Sequence, residues 1–271
     1  MGLGLKSKLK KVLSHKEYMP IVHPVSRVNE FNGKVALISG GSGGIGLSIA
    51  KSLKESGCDV VVAGTNENKL ARIKNELGID TIVMDYSKTD SFDYTIRKVV
   101  ENHKKIDIFI SSAGVHTENA DFWSMNASEF DRVMDINLKG VFFACQSVGK
   151  YMKDRKVKGS ILLVSSSRGS EPAWSPYGIS KWGLKGLTEG LGQMLIPYGI
   201  NVNAIAPGST ATGLIGIKKG DSITSDENGM NRLIMPDEVA TLAKLLVSDA
   251  GKMIDGEVVH ISAGRGIFDI R

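Results

Sequence analysis

From residue 34 onward, apolar runs alternate with amphipathic stretches. The runs KVALIS (34–39), DVVVAG (59–64), TIVMD (81–85), IDIFIS (106–111), SILLVS (160–165), INVNAIA (200–206) and EVVHIS (257–262) are short and rich in branched residues. They lack the strict apolar–polar alternation of a half-exposed strand, so they read as strands buried on both faces. Between them, residues 44–57, 66–77, 90–104, 127–153, 176–196 and 237–249 carry helical patterns. Strand and helix in regular alternation predict an α/β fold, a doubly wound seven-stranded parallel sheet with helices on both faces. Two segments stand outside the alternation: residues 1–31, and a loop over about 209–235 rich in Gly, Ser, Thr and Asp. A connection that long in a compact domain is usually a functional lid or lacks order.

The first strand runs directly into SGGSGGIG (39–46), which opens a helix. In that setting Gly40 permits the tight turn, Gly44 lets backbone approach a pyrophosphate, and Gly46 lets the helix pack closely on the strand. Ser42 and Ile45 complete a turn whose free N–H groups and helix dipole suit phosphate. The glycines are spaced G-x-x-x-G-x-G rather than G-x-G-x-x-G. A merely flexible Gly/Ser loop is the plain alternative, and the flanking strand and helix argue against it. Further along, SPYGISK places Tyr177 and Lys181 four residues apart, on one helix face. Ser175 reads as the N-cap and Pro176 as the first helical residue. An ammonium beside a phenol favours phenolate, which predicts a Tyr177 pKa lowered from its usual value near 10 and a usable proton donor or acceptor.

Composition narrows the class. With 271 residues, 42% hydrophobic and 23% charged, the chain suits one large domain over 32–271 preceded by a short extension. No apolar run approaches the ~18 to 20 residues of a membrane span, and the N-terminus lacks the apolar core of a signal peptide, so a cytoplasmic protein is expected. Cys58 and Cys145 lie far apart in apolar stretches and read as reduced core residues without a metal role. The net charge is +5, of which the first thirty residues contribute +4 through Lys6, Lys8, Lys10, Lys11, Lys16 and Arg27 against Glu17 and Glu30. The remainder is close to neutral, which argues against nucleic-acid binding. In the extension, Leu5, Leu9, Val12 and Leu13 share a helical face amid lysines. An arm packing on a neighbouring subunit, or a loose terminus, is favoured over contact with a membrane surface.

Taken together, the motifs resemble those of the short-chain dehydrogenase/reductase family, over about residues 32–264, and in the family's order. SGGSGGIG resembles T-G-x-x-x-G-x-G with Ser39 for Thr. Asp85, followed by Tyr86, matches the aspartate that contacts adenine after the third strand. SSAG (111–114), with Ala113 and Gly114, resembles N-N-A-G, its two serines expected to weaken that turn's hydrogen bonding. Asn137 in MDINLKG, Ser166 in VSSSRG, and Tyr177 with Lys181 match a catalytic tetrad; Ser165 is the alternative serine. Pro207, Gly208, Thr210 and Thr212 match the segment that cradles the nicotinamide.

The resemblance implies a Rossmann-like fold and hydride transfer with a nicotinamide cofactor. Tyr177 would move the proton, Ser166 hold the substrate oxygen, and Lys181 tune Tyr177 and bind the ribose. Asn137 would kink its helix and hold a water serving Lys181. A homotetramer or homodimer would pair helices 127–153 and 176–196. Separately, each of these residues has a plain reading as strand-end hydroxyl, helix-surface amide or solvated charge. A catalytically inactive nucleotide-sensing or scaffold protein on the same fold is the alternative class, and an epimerase or dehydratase would need a further acid or base.

For the cofactor, no carboxylate follows VVVAG to repel a 2′-phosphate, and no arginine is there to clamp one. Thr65, Asn66, Ser42 and nearby Lys69 could donate hydrogen bonds, which favours NADP(H) over NAD(H) by a small margin. The substrate pocket is expected from residues after Ser166, from His116 to Trp123, from Trp174 and from the 209–235 loop. There Lys218, Lys219 and Arg232 could meet an anionic group, and His116 reads as a loop residue near the site.

Overall fold

The computed structural model describes residues 30–118, 121–218 and 220–265; the basic extension and its amphipathic pattern lie outside them. All seven predicted strands form one parallel sheet: β1 (Val35–Ser39), β2 (Asp59–Gly64), β3 (Asp80–Val83), β4 (Ile108–Ser111), β5 (Ser160–Val164), β6 (Asn201–Pro207) and β7 (Val258–Ile261). Their order is β3-β2-β1-β4-β5-β6-β7. From β1 the chain first winds outward to β2 and β3, then returns to place β4 on the other side of β1. The loops leaving β1 and β4 therefore diverge, which opens a crevice at the strands' C-terminal ends.

The crossovers are helical: α1 (Gly44–Glu55), α2 (Glu67–Leu77), α3 (Phe92–His103), α4 (Ala127–Met134), α5 (Gly140–Asp154), α6 (Pro176–Leu195) and α7 (Pro236–Val247). Successive residues of a strand face opposite sides, so each face has its own core. Ala36 and Ile38 pack with Ile49 and Leu53 of α1, Ile73 of α2 and Leu246 of α7. On the other face Leu37 packs with Val99 of α3, Val148 of α5 and Leu191 of α6. Both cysteines are buried and unpaired, and burial pushes their thiols up to about 12.

One expectation gains detail and another needs correction. The helix expected over 127–153 is present but not uniformly α-helical: where Asn137 was expected to kink it, a π turn at Asp135–Lys139 joins α4 to α5. The wider turn brings α5 hard against the chain after β3, where a Cβ on Gly140 would sit 2.6 Å from the Tyr86 carbonyl oxygen. Nor is the serine at 111 a weak link. Neighbours in the β1–β4 register, Ser39 and Ser111 both reach the Tyr86 hydroxyl, at 2.6 and 2.9 Å. Tyr86 is thereby a core residue with a satisfied phenol, raised well above its ordinary pKa by burial, and its side chain is closed to any ligand.

Close packing of α6 on the segment before β7 supplies a test of the fold. Val202 donates to the Asp255 carboxylate at 2.8 Å and accepts from the Gly256 amide at 2.8 Å, which seats Gly256 against α6. A Cβ on Gly192 would lie 2.6 Å from the Gly256 Cα. We expect Gly192→Ala to lower stability by about 1–3 kcal/mol, the usual range for an overpacked core, measured as the urea midpoint at unchanged m-value.

Candidate active site

The crevice between the β1 and β4 loops leads into a cavity of about 590 Å³ at the C-terminal edge of the sheet. One wall is the glycine turn. Gly40 has φ +64°, and a Cβ there would lie 2.5 Å from the Ala113 amide nitrogen, so the turns after β1 and β4 touch backbone to backbone. A Cβ on Gly44 would meet the Thr212 methyl at 3.1 Å, which sets the segment after β6 over the start of α1. Asn66, Asn126 and Ser175 cap α2, α4 and α6 with their side chains. α1 by contrast begins at Gly43 with no side-chain cap and no acid in its first turn. Its first amides and positive dipole end are thus left for an anion. These features fit the diphosphate of a dinucleotide.

The opposite wall carries three of the four residues expected to form a tetrad, Ser166, Tyr177 and Lys181. Ser175 caps α6, its hydroxyl accepting from the Gly178 amide at 3.2 Å, and Pro176 occupies the first turn. Tyr177 and Lys181 line the cavity with Ser165 and Ser166. Ser166 accepts from the Arg168 amide at 3.2 Å, and its hydroxyl sits close enough to the Tyr177 phenol to lower the phenol's pKa. Ser165 is buried, with its hydroxyl directed at the Lys181 carbonyl at 3.5 Å. Of the two serines, Ser166 is the one that meets Tyr177.

The charge pattern differs from the sequence expectation. Lys181 is only 5% exposed, and its Nζ lies 5.5 Å from the Tyr177 ring centroid while donating to the Val164 carbonyl at 3.1 Å. Burial lowers its pKa to about 8. The Tyr177 pKa is raised, not lowered: desolvation dominates, and the Ser166 hydroxyl and the Arg168 charge offset it only in part. The i, i+4 spacing aligned the two residues on one face, but the ammonium turns to a carbonyl instead of the phenol.

Asn137 is buried at the π turn. Its Nδ2 donates to the Val115 carbonyl and its Oδ1 accepts from the Val115 amide, both at 2.8 Å. Both amide atoms are therefore engaged by the segment after β4. A Cβ on Gly114 would be 3.4 Å from Asn137 Oδ1 and 3.8 Å from Lys181 Nζ, which places the three side by side.

Of the expected cofactor residues, Gly40, Ser42, Gly44, Ile45, Ala113, Gly114, Pro207, Gly208, Thr210 and Thr212 line the cavity, Gly46 packing behind it. Thr210 is buried and donates to the Gly208 carbonyl. Thr65, Asn66 and Asp85 stand away from the cavity wall, at and beyond the ends of β2 and β3. Thr65 is exposed, the Asn66 oxygen is spent on the Lys69 amide, and Asp85 accepts from the Ser87 amide and hydroxyl.

The substrate side departs from expectation in part. Arg232 is committed to Glu238 through two bonds of 2.7 and 2.8 Å, Lys219 lies outside the described residues, and Lys218 is not on the cavity wall. Trp123 and Trp174 are 90% and 52% exposed and also stand off the wall. From the expected segments His116, Arg168, Leu214, Ile215 and Glu227 do line it, Arg265 joins them unexpectedly, and Lys69 and Ser42 are on the wall as well. Arg265, missed in the sequence, bonds Ser209 at 2.9 Å, Glu171 at 3.1 Å and Glu227. It joins the 209–235 loop to the turn after Ser166. No local pattern marks an arginine past the last strand, whereas Lys69 was within reach of a helical projection from the α2 start.

Among the described residues no helix is long and apolar enough to cross a membrane. A 3-oxoacyl-(acyl-carrier-protein) reductase of Rickettsia felis is 32% identical over 240 residues, spanning 87% of this chain and 98% of its own. A 3beta-hydroxysteroid dehydrogenase 2 of Eggerthella lenta is 29% identical over 245 residues, with 86% and 94% covered. Among solved structures, a 3-ketoacyl-(acyl-carrier-protein) reductase of Brucella melitensis complexed with NADH superposes with a TM-score of 0.77 at 28% identity, over 87% of this chain and 99% of its own. The sequence profile of the short chain dehydrogenase family matches residues 34–220, and the chain belongs to that family of oxidoreductases.

Proposed function

We propose that this chain reduces a ketone, or oxidises the corresponding secondary alcohol, with Tyr177 carrying the proton and NADP(H) preferred over NAD(H). The observation that carries the reading is the pair of hydroxyl-bearing residues Ser166 and Tyr177, set together with buried Lys181 on the wall of a cavity that the uncapped start of α1 also lines. A bound nicotinamide supplies or accepts the hydride. The protein's part is to place an oxygen and move a proton.

Tyr177, its pKa above the ordinary tyrosine value, is a neutral phenol at neutral pH and donates its proton to the alkoxide oxygen as it forms. Ser166, fixed by the Arg168 amide, donates to the same oxygen. Lys181, with a pKa of about 8, stays largely protonated at pH 7, so it keeps a positive charge 5.5 Å from the Tyr177 ring centroid that favours loss of the phenol's proton. Gly40, Gly44, Ile45 and the α1 amides would hold the diphosphate, and the 207–212 segment the nicotinamide end. Large apolar side chains stay exposed on α5 and α6, among them Phe142, Phe143, Trp182 and Met194, which supports pairing of these helices between two copies of the chain.

Three measurements test this reading. A panel of ketones and secondary alcohols, followed by nicotinamide absorbance, is expected to show turnover by wild type and none by Tyr177→Phe, with cofactor affinity within about threefold because the phenol holds no phosphate. Near-wild-type kcat in Tyr177→Phe would overturn the assigned proton donor.

The buried Lys181 predicts a pH signature. Its folded pKa of about 8 lies below the ordinary 10.5, so between these values the unfolded chain binds more protons and this group makes stability rise with pH. Lys181→Met should stabilise the protein at pH 7 by at most roughly 3 kcal/mol, the shift expressed as free energy, less the lost bond to Val164. The difference should shrink between pH 8 and 10.5, as read from denaturation midpoints. A pH-independent difference would show that Lys181 does not titrate in that window.

For the cofactor, Thr65→Asp should reverse the preference to NADH. Lys69→Ala should weaken NADPH while leaving NADH unchanged, an effect that fades at high salt as expected for an exposed charge. Titration of both cofactors decides it, and tighter NADH binding to wild type would sink the NADP(H) preference.

A further inference from the structure

The segment joining β4 to α4 is held more firmly than its exposure suggests. Val115 is bonded at both backbone groups by Asn137. The His116 carbonyl accepts from Arg132 Nη2 at 2.8 Å, and Arg132 is clamped by Glu129 at 2.7 and 2.9 Å. The Thr117 hydroxyl accepts from the Tyr177 amide at 3.4 Å. The Glu118 amide donates to Glu129 at 2.7 Å. Four consecutive residues are thus each fixed by a bond to α4, the π turn or α6.

On this fixed base the His116 imidazole lies flat on the Tyr177 ring, with centroids 4.2 Å apart and planes inclined by 23°. Both rings line the cavity. Burial, with the charges of Lys181 and Arg168, lowers the His116 pKa, so the ring on Tyr177 is neutral at neutral pH. A phenol ring can turn about its own axis and tilt at χ1. A rigid plate on one face restricts both motions and thereby fixes where the hydroxyl points.

We propose that His116 is a positioning residue for Tyr177, its imidazole plate holding the phenol in the orientation that meets Ser166 and the reacting oxygen. The proposal rests on the reading of Tyr177 as proton donor. Flatness is the property that matters, so a phenyl ring should replace the imidazole, whereas a branched aliphatic side chain of similar bulk should not. A bond from an imidazole nitrogen to substrate makes the opposite prediction for phenylalanine.

The test compares wild type, Tyr177→Phe, His116→Ala, His116→Leu and His116→Phe, with ethyl acetoacetate and the ketone panel as probes and NADPH as reductant. His116→Ala and His116→Leu are expected to lose ~10- to 100-fold in kcat with KM and NADPH affinity changed by less than about threefold, as for a misplaced reacting group. His116→Phe should retain kcat within about threefold. In protein labelled with 13C at the tyrosine rings, the Tyr177 resonance, identified by its loss in Tyr177→Phe, should move in His116→Leu and stay near its place in His116→Phe.

Equal loss in Phe and Leu would overturn the stacking role in favour of a nitrogen contact, and wild-type kcat in His116→Leu would overturn it outright. Should His116→Ala fail to fold, the Phe and Leu pair still decides. Activity surviving in Tyr177→Phe, or a wild type inert towards the whole panel, would instead remove the reading beneath the proposal; the ring resonances then show only whether the stack exists.

Discussion

Asn137 bonds both backbone groups of Val115, and the geometry of the site descends from that pair of contacts. Val115 leaves β4 without a strand partner, and an amide and carbonyl buried unpaired would cost about 1–3 kcal/mol each. A primary amide offers one donor edge and one acceptor edge, which is what an absent neighbouring strand would have offered. To present that amide inward the helix must widen by a residue per turn, hence the π turn at Asp135–Lys139. The widening brings α5 close to the chain after β3, and Gly140 is the residue whose missing side chain permits the approach. Once Val115 is placed, residues 116–118 follow through Arg132, Glu129 and Thr117, and Tyr177 acquires a fixed neighbour.

The electrostatics of the cavity follow from which charges are paired. Arg168 is bound to Glu171 at 2.8 Å, and Arg265 to Glu171 and Glu227, so these arginines serve chiefly as structural ties between loops. Glu129, held well below the usual carboxylate range by Arg132 and the Glu118 amide, keeps its clamp across the ordinary pH range. The field left over comes from buried Lys181, from Lys69, and from the open start of α1. All three are positive, and they lie along the path that a dinucleotide with its diphosphate would take across the sheet edge. A cavity whose uncompensated groups share one sign concentrates ligands of the other.

The sheet was legible because its signal is repeated. Seven apolar runs, each bounded by turn residues and separated by helical patterns, admit few arrangements other than a parallel sheet. The glycine turn and the Tyr177–Lys181 spacing were legible because each is local in sequence. What escaped was what depends on distant partners. The direction of the Lys181 ammonium is set by the Val164 carbonyl, seventeen positions earlier, and helical periodicity carries no trace of it. Arg232 read as a free cation until Glu238 was seen beside it. His116 stood sixty-one positions from Tyr177 in the sequence and stacks on it only because β4 and α6 converge. Trp123 and Trp174 misled in the opposite sense, since a large aromatic near a site by sequence need not line it.

The serines at 39 and 111 show how two departures from a family pattern can be one packing solution. The resemblance sets a threonine at the first position and an asparagine at the second, and each change taken alone looks like a loss. β1 and β4 hold the two residues directly abreast, and the phenol of Tyr86 enters between them. A hydroxyl on a single carbon is short enough for both serines to reach that oxygen, and Ser39 lies also within 3.4 Å of the Ile110 carbonyl. An asparagine at 111 would fill the space that the Tyr86 hydroxyl occupies. The tyrosine supplies the bulk and polarity that the serines lack, and through its backbone it also forms the surface on which Gly140 packs. The turns that carry Gly40 and Ala113, whose backbones lie in contact, are thus braced from beneath by the Ser39, Tyr86 and Ser111 hydroxyls.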